Sequence, residues 1–309
     1  MRSTHHLLLL GLLGCGTDSA SGPDKAPSDT SVAATGPDDT TCTAWLDASP
    51  HLSQATVCDT SVDRAWGQIE ADGTRSVEVP SGHTALVWVP DDWSSRTHPS
   101  VLVLLHGTSG CAEGSYGDAR MVFGDAHALV SLGYKSTTGD FLEADAIQRD
   151  LDAVADALSA SCDTSGATWL MYGLSRGGLR AIQLGGHDRS GPRRLSGIVV
   201  DSGTAPNRQL EGPSYDGARY LFWCGENDPD PVQEGRTTCA VMSDDLAPWL
   251  ERAGATVDDV VVGEDACHGA LAWDCDADCS GCESRASPDN PGPHMQRIGD
   301  WLQQVSEGS

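Results

Sequence analysis

The chain is expected to fold as an α/β domain, a mostly parallel central sheet with helices on both faces. Three observations predict this. From about Thr74 onward, short apolar runs of strand length alternate with segments of helical period. Val101–Leu105 is apolar without interruption, as a strand buried on both faces should be. The 309 residues suffice for a short N-terminal appendage and one domain of about 250 residues.

Taken in order, Ser76–Val79 and Thr84–Val89 alternate in polarity around Pro80-Ser81-Gly82 and predict an antiparallel pair. After Val101–Leu105, a helix is expected over Ala119–Ser131 and a short strand over Gly133–Ser136. Glu143–Ser161 carries Ile147, Leu151, Val154, Ala155 and Leu158 at three- and four-residue spacing, the signature of an amphipathic helix. Thr168–Tyr172 then predicts a strand and Arg176–Leu184 a helix. Leu195–Val200, Tyr220–Cys224 and Val257–Val262 predict three more strands, with helices at Asp244–Ala253 and Met295–Val305.

The first 41 residues differ from this pattern. Leu7–Leu13 is apolar apart from Gly11 and too short to span a bilayer, but it has the size of a signal-peptide core. Leu12-Leu13-Gly14-Cys15 resembles the lipobox of bacterial lipoproteins, which implies cleavage before Cys15 and a lipid on its thiol. Residues 16–41 are rich in Ser, Thr, Asp, Pro and Gly and read as a tether. The expected organisation is therefore a signal over 1–15, a linker over 16–41 and a domain over 42–309. The protein would be exported and lipid-anchored at the cell envelope, or else fully secreted.

Composition narrows the function classes. With 19 Lys and Arg against 45 Asp and Glu, the formal charge is −26, and such a surface repels phosphate backbones. Nucleic acid is not an expected partner, and a membrane is expected only through the lipid; the chain is expected to act as a monomer. Ten cysteines remain once Cys15 is set aside, an even number that reads as disulfides in an oxidising compartment. Cys42 with Cys58 is a local candidate pair. Asp274, Asp276 and Asp278 alternate like calcium ligands, but Cys279 and Arg285 stand where that template needs Gly and Glu. Cys267, Cys275, Cys279 and Cys282 contain one C-x-x-C only, so a disulfide-pinned loop is expected there rather than zinc. No metal and no cofactor are expected.

Gly173-Leu174-Ser175-Arg176-Gly177 is the G-x-S-x-G motif of the chain. It follows an apolar strand and opens a helix, the setting of a nucleophile elbow. The turn is so sharp that a Cβ at either glycine would strike backbone. A serine hydroxyl needs a base, and the base needs an orienting acid. Asp228 and His268 both follow predicted strands at the carboxyl edge of the sheet, where open α/β sheets place such groups. Asp230 and Asp201 are rival acids, and His294 is a rival base. His106 is expected to be structural.

On these residues the chain resembles the α/β-hydrolase superfamily, near secreted esterases of the polyhydroxybutyrate-depolymerase-like or feruloyl-esterase-like kind. The resemblance covers roughly residues 75 to 306. It implies Ser175 as nucleophile, Asp228 as acid and His268 as base, acting on carboxylic esters through an acyl-enzyme. His106-Gly107-Thr108 matches the family's His-Gly after the third strand, which implies an oxyanion hole formed by the backbone N–H groups of Thr108 and Arg176. Arg176 stands where many esterases carry a small residue and where prolyl-oligopeptidase-like enzymes carry arginine. A serine peptidase is therefore the second reading, and an inactive lipid-anchored binding protein the third.

Overall fold

The computed structural model describes Cys42 and residues 73–136, 139–187, 194–204, 214–230, 233–279 and 281–308. The expectations for the signal, for Cys15 and for the linker over 16–41 lie outside the described residues.

Eight strands form one sheet in the order β1-β2-β4-β3-β5-β6-β7-β8. They are β1 (Arg75–Glu78), β2 (Thr84–Trp88), β3 (Ser100–Leu105), β4 (Ala128–Leu132), β5 (Thr168–Leu174), β6 (Leu195–Asp201), β7 (Arg219–Gly225) and β8 (Thr256–Gly263). β1 and β2 pair antiparallel, as do β2 and β4, whereas every pairing from β4 across to β8 is parallel. The alternation of side chains along each strand divides the core in two. On one face Val101, Val103, Leu105, Met171 and Phe222 meet α2 (Ala144–Ser159) and α3 (Arg176–Gly185). On the other, Leu102, Leu104, Leu170, Leu221 and Trp223 meet α1 (Ala112–Phe123) and α6 (Pro293–Glu307). Each fully buried Leu, Ile or Val of these layers contributes roughly 1.5–3 kcal/mol.

The segment between β3 and α2 departs from the expectation of a helix at Ala119–Ser131 and a strand at Gly133–Ser136. The helix starts earlier, where the Cys111 sulfur caps the Gly114 N–H, and it stops at Phe123 because Gly124 takes a φ of 53°. The apolar run Ala128–Leu132 that follows is β4, wholly buried and paired on both sides, and in place of the strand expected at Gly133–Ser136 there is an isolated bridge between Lys135 and Phe141. The glycine stop was the signal the periodicity obscured. The helix expected at Asp244–Ala253 begins sooner, as α4 (Thr238–Val241), and passes through a wide turn at Met242–Leu246 into α5 (Ala247–Arg252). Pro248, which has no N–H to donate, follows that turn. A small hairpin of β9 (Ala272–Cys275) and β10 (Cys282–Arg285) follows β8.

The cysteines do pair, but Cys42 bonds to Cys162, 120 positions away with their Cα atoms 4.7 Å apart, and not to Cys58. Spatial approach decides a disulfide, and closeness along the chain is no substitute for it. Cys224–Cys239, Cys267–Cys279 and Cys275–Cys282 are further bridges, and Cys111 is also disulfide-bonded. Among the described residues, no helix is long and apolar enough to cross a membrane.

Candidate active site

Ser175 lies on the turn between β5 and α3, at the centre of the sheet, with φ 55° and ψ −115°. That conformation is strained for a residue with a side chain, and close packing enforces it. A Cβ on Gly173 would come within 2.3 Å of the Gly177 carbonyl oxygen, and one on Gly177 within 2.1 Å of the Leu105 oxygen. The Ser175 N–H donates to the Asp201 carbonyl at 2.7 Å, tying the turn to the end of β6. The hydroxyl thus stands at the N-terminus of α3, where unpaired backbone N–H groups face outward.

Asp228 sits in the loop after β7. Its backbone N–H donates to Gly225 at 3.2 Å, and its carbonyl accepts from the Thr238 N–H at 2.8 Å. The Cys224–Cys239 bridge closes the base of this loop. His268 follows β8 and is flanked by the Cys267–Cys279 bridge. Its Nδ1 lies 3.1 Å from each carboxylate oxygen of Asp228. The carboxylate is buried, with 3% of its side chain exposed, while the imidazole is 46% exposed. The hydrogen bond to Asp228 raises the His268 pKa above the ordinary imidazole value, against the opposing effect of burial, and the charges of Asp228 and Asp201 add to the rise.

Ser175, Asp228, His268, Thr108 and Arg176 all line one cavity of about 970 Å³. Among the described residues, no hydrogen bond joins the Ser175 hydroxyl to His268. Nor does the backbone N–H of Thr108 or of Arg176 have a partner among them. The Thr108 loop packs against the elbow closely enough that a Cβ on Gly107 would lie 3.4 Å from the Ser175 Cβ. His106 anchors that loop from below. It is buried, its Nδ1 is 2.8 Å from the Gly107 oxygen, and its ring packs on Tyr134 at 4.4 Å. Burial pushes its pKa down to about 4, so it is neutral at pH 7.

The rival residues are engaged elsewhere. Asp230 accepts from the Gln233 N–H at 2.6 Å. His294 packs against Trp223, ring centroids 5.2 Å apart. Asp201 is fully buried and accepts from the Tyr172 hydroxyl and, at 3.0 Å, from the Ala270 N–H. Its burial raises the carboxyl pKa above the usual range. Beside it, the Ser202 hydroxyl accepts from the Gly269 N–H at 2.9 Å. The end of β6 therefore holds both the elbow and the two residues after His268. Sequence reasoning weighed Asp201 as an acid but did not find this clamp. It also missed Arg180, which lines the cavity one helical turn beyond Arg176. The i, i+4 spacing from Arg176 was the available signal.

Solved structures similar to this chain were found. Two fungal esterases from Rhizomucor miehei are represented by a structure similar to this chain, with 13% identity, 87% of this chain and 95% of that one covered, and a TM-score of 0.51. Thermogutta terrifontis esterase 2 phosphorylated by paraoxon is similar at 13% identity, over 75% of this chain and 94% of that one, with a TM-score of 0.51. A Bacillus cereus carboxylesterase aligns at 18% identity over 78% of this chain and 99% of that one, with a TM-score of 0.48. No protein-family model and no curated protein matches the chain. The sheet order and the two esterase structures at TM-score 0.51 show an α/β-hydrolase fold.

Proposed function

We propose that this protein is an exported serine hydrolase that cleaves carboxylic esters, with Ser175 as nucleophile, His268 as base and Asp228 as orienting acid. The observation that carries the reading is the buried Asp228 carboxylate bonded to His268 Nδ1, beside a strained serine that lines the same cavity. With Nδ1 held by Asp228, the imidazole has Nε2 free to accept the Ser175 proton as the serine oxygen attacks the ester carbonyl. The negative charge on the tetrahedral oxygen then falls between the N–H groups of Thr108 and Arg176. Each such donor is worth about 2.7–4 kcal/mol in the barrier. His268 passes its proton to the departing alcohol. Water, activated by the same imidazole, then releases the acid.

The disulfides are compatible with export, and lipidation at Cys15 with anchoring at the cell envelope belongs to the same proposal. The Thermogutta terrifontis esterase is phosphorylated by paraoxon; by extension, paraoxon is expected to inactivate this protein by adding one diethylphosphoryl group to Ser175. The test is hydrolysis of neutral 4-nitrophenyl esters together with intact-mass analysis after paraoxon treatment. Ser175→Ala is expected to lower kcat by about a millionfold and to abolish the mass shift. Ester hydrolysis that survives in Ser175→Ala at the wild-type rate would refute the assignment.

A further inference from the structure

One wall of the cavity is a single face of α3. Arg176, Leu179, Arg180 and Gln183 line it at i, i+3, i+4 and i+7. In a chain with 19 basic residues against 45 acidic ones, two guanidiniums on one such face require a reason. Arg180 is buried, with 4% of its side chain exposed. Its Nη1 meets Glu143 Oε2 at 2.8 Å and Gln183 Oε1 at 2.8 Å. Its Nε, also buried, has no partner. That Nε has no accessible surface for a ligand to reach, so the donors this wall offers the cavity are those of the exposed Arg176. Arg176 lies beside the nucleophile with its guanidinium 4.5 Å from the centre of the Phe141 ring, and among the described residues no carboxylate pairs with it. The positive end of the α3 dipole adds to the same field.

We infer that the α3 wall receives a carboxylate, so that the substrate is an ester carrying a separate free acid group. This inference rests on the ester-hydrolase reading for its reaction but not for its anion site. Glu143 neutralises Arg180, and Asp228, which also lines the cavity, is engaged by His268, which leaves Arg176 as the uncompensated charge of the α3 wall among the described residues. A single negative charge suits that arrangement. A dianion such as a phosphate would bring a second negative charge into a cavity already lined by Glu143 and Asp228. The flat guanidinium of Arg176, held over Phe141, offers the paired donors that a carboxylate accepts.

The experiment compares esters with and without the acid group. 4-Nitrophenyl hemiglutarate is set against 4-nitrophenyl pentanoate, and the butanoyl ester of 4-hydroxybenzoate against that of 4-hydroxytoluene. The first pair puts the carboxylate on the acyl side and the second on the alcohol side. In wild type at low ionic strength, kcat/KM is expected to favour the acid-bearing member of one pair by about tenfold or more, and salt is expected to erode that preference. Arg176→Gln should lower the ratio by about tenfold and Arg176→Lys should restore part of it, whereas Glu143→Gln, at an exposed carboxylate, should raise it. A wild-type preference for the neutral member of both pairs, or a ratio unmoved by Arg176→Gln and Glu143→Gln, overturns the inference. If neither pair is hydrolysed, the ester-hydrolase reading fails, and calorimetry with monoethyl glutarate still decides the anion site. Binding weakened about tenfold in Arg176→Gln supports the site, and no binding or equal binding removes it.

Discussion

Ser175 and His268 face one cavity, yet the chain holds them there by different means. The elbow has no cross-link. It is fixed by backbone pressed on backbone, with Gly177 against Leu105 and Gly203 against Gly178, where a Cβ on Gly177 or Gly203 would strike main chain. The loops around it are fixed covalently. Cys111 begins the helix that follows the Thr108 loop, Cys224–Cys239 closes the loop of Asp228, and Cys267–Cys279 flanks His268. The difference follows position. The elbow lies between the central strands β3, β5 and β6, where close packing over-determines the backbone. His268 follows β8, the strand at the sheet edge, which buries only Val261 and Gly263 and leaves Val262 exposed. Where packing is one-sided, disulfides supply the rigidity that packing cannot.

The sharpest way to break this comparison is Gly177→Ala. One added methyl collides with main chain on β3, so a loss of more than about 4 kcal/mol in stability is expected, and with it activity, read by urea unfolding. A folded, stable Gly177→Ala protein would show that the elbow is not set by that contact.

Next in size is Asp228→Asn, expected to lower kcat by about ten-thousandfold while leaving the unfolding midpoint near wild type. Asp230→Asn, in the same loop but turned to Gln233, should stay within about twofold of wild type. The pH profile sharpens the result. Asp228 raises the His268 pKa, so the imidazole keeps its proton to higher pH than a free one, and wild-type kcat/KM should fall as pH drops through a midpoint above 6.5. In Asp228→Asn the largest cause of that rise is gone, while burial and the weaker effect of Asp201 remain, and the midpoint of the residual activity should move down. An unmoved midpoint would mean that another group sets the limb.

The smallest effect separates two bridges. Removing Cys267–Cys279 by paired serine substitution should lower kcat/KM by about tenfold to a hundredfold, through loss of imidazole placement. Neither Cys42 nor Cys162 lines the cavity, and their bridge is removed in the same way. That removal should cost about 2–5 kcal/mol of stability, because it frees a span of 120 residues, and leave kcat/KM near wild type. Reversed outcomes would place the stabilising and the positioning bridges the other way round.

Much of the fold was legible because strand and helix periods are local properties. β3, α2, β5, α3, β6, β7 and β8 lie within a few residues of where their apolar patterns predict them. The misreading over Ala119–Ser136 arose because Gly124, a local stop, was outweighed by the apolar run beyond it. The elbow was legible because its glycines are neighbours in the chain. The β6 clamp on the residues after His268 was not, because Asp201 and Ala270 are 69 positions apart and meet only in the folded sheet.

The sequence by itself determined the alternation of strands and helices, the strand–turn–helix setting of Ser175, and an even set of cysteines able to pair, all properties carried by neighbouring residues. Tertiary structure decided which aspartate reaches His268, which cysteines join, and that Arg180 turns into the cavity beside Arg176. Those outcomes depend on distances between residues far apart in the chain, and these are set only when the sheet closes its layers.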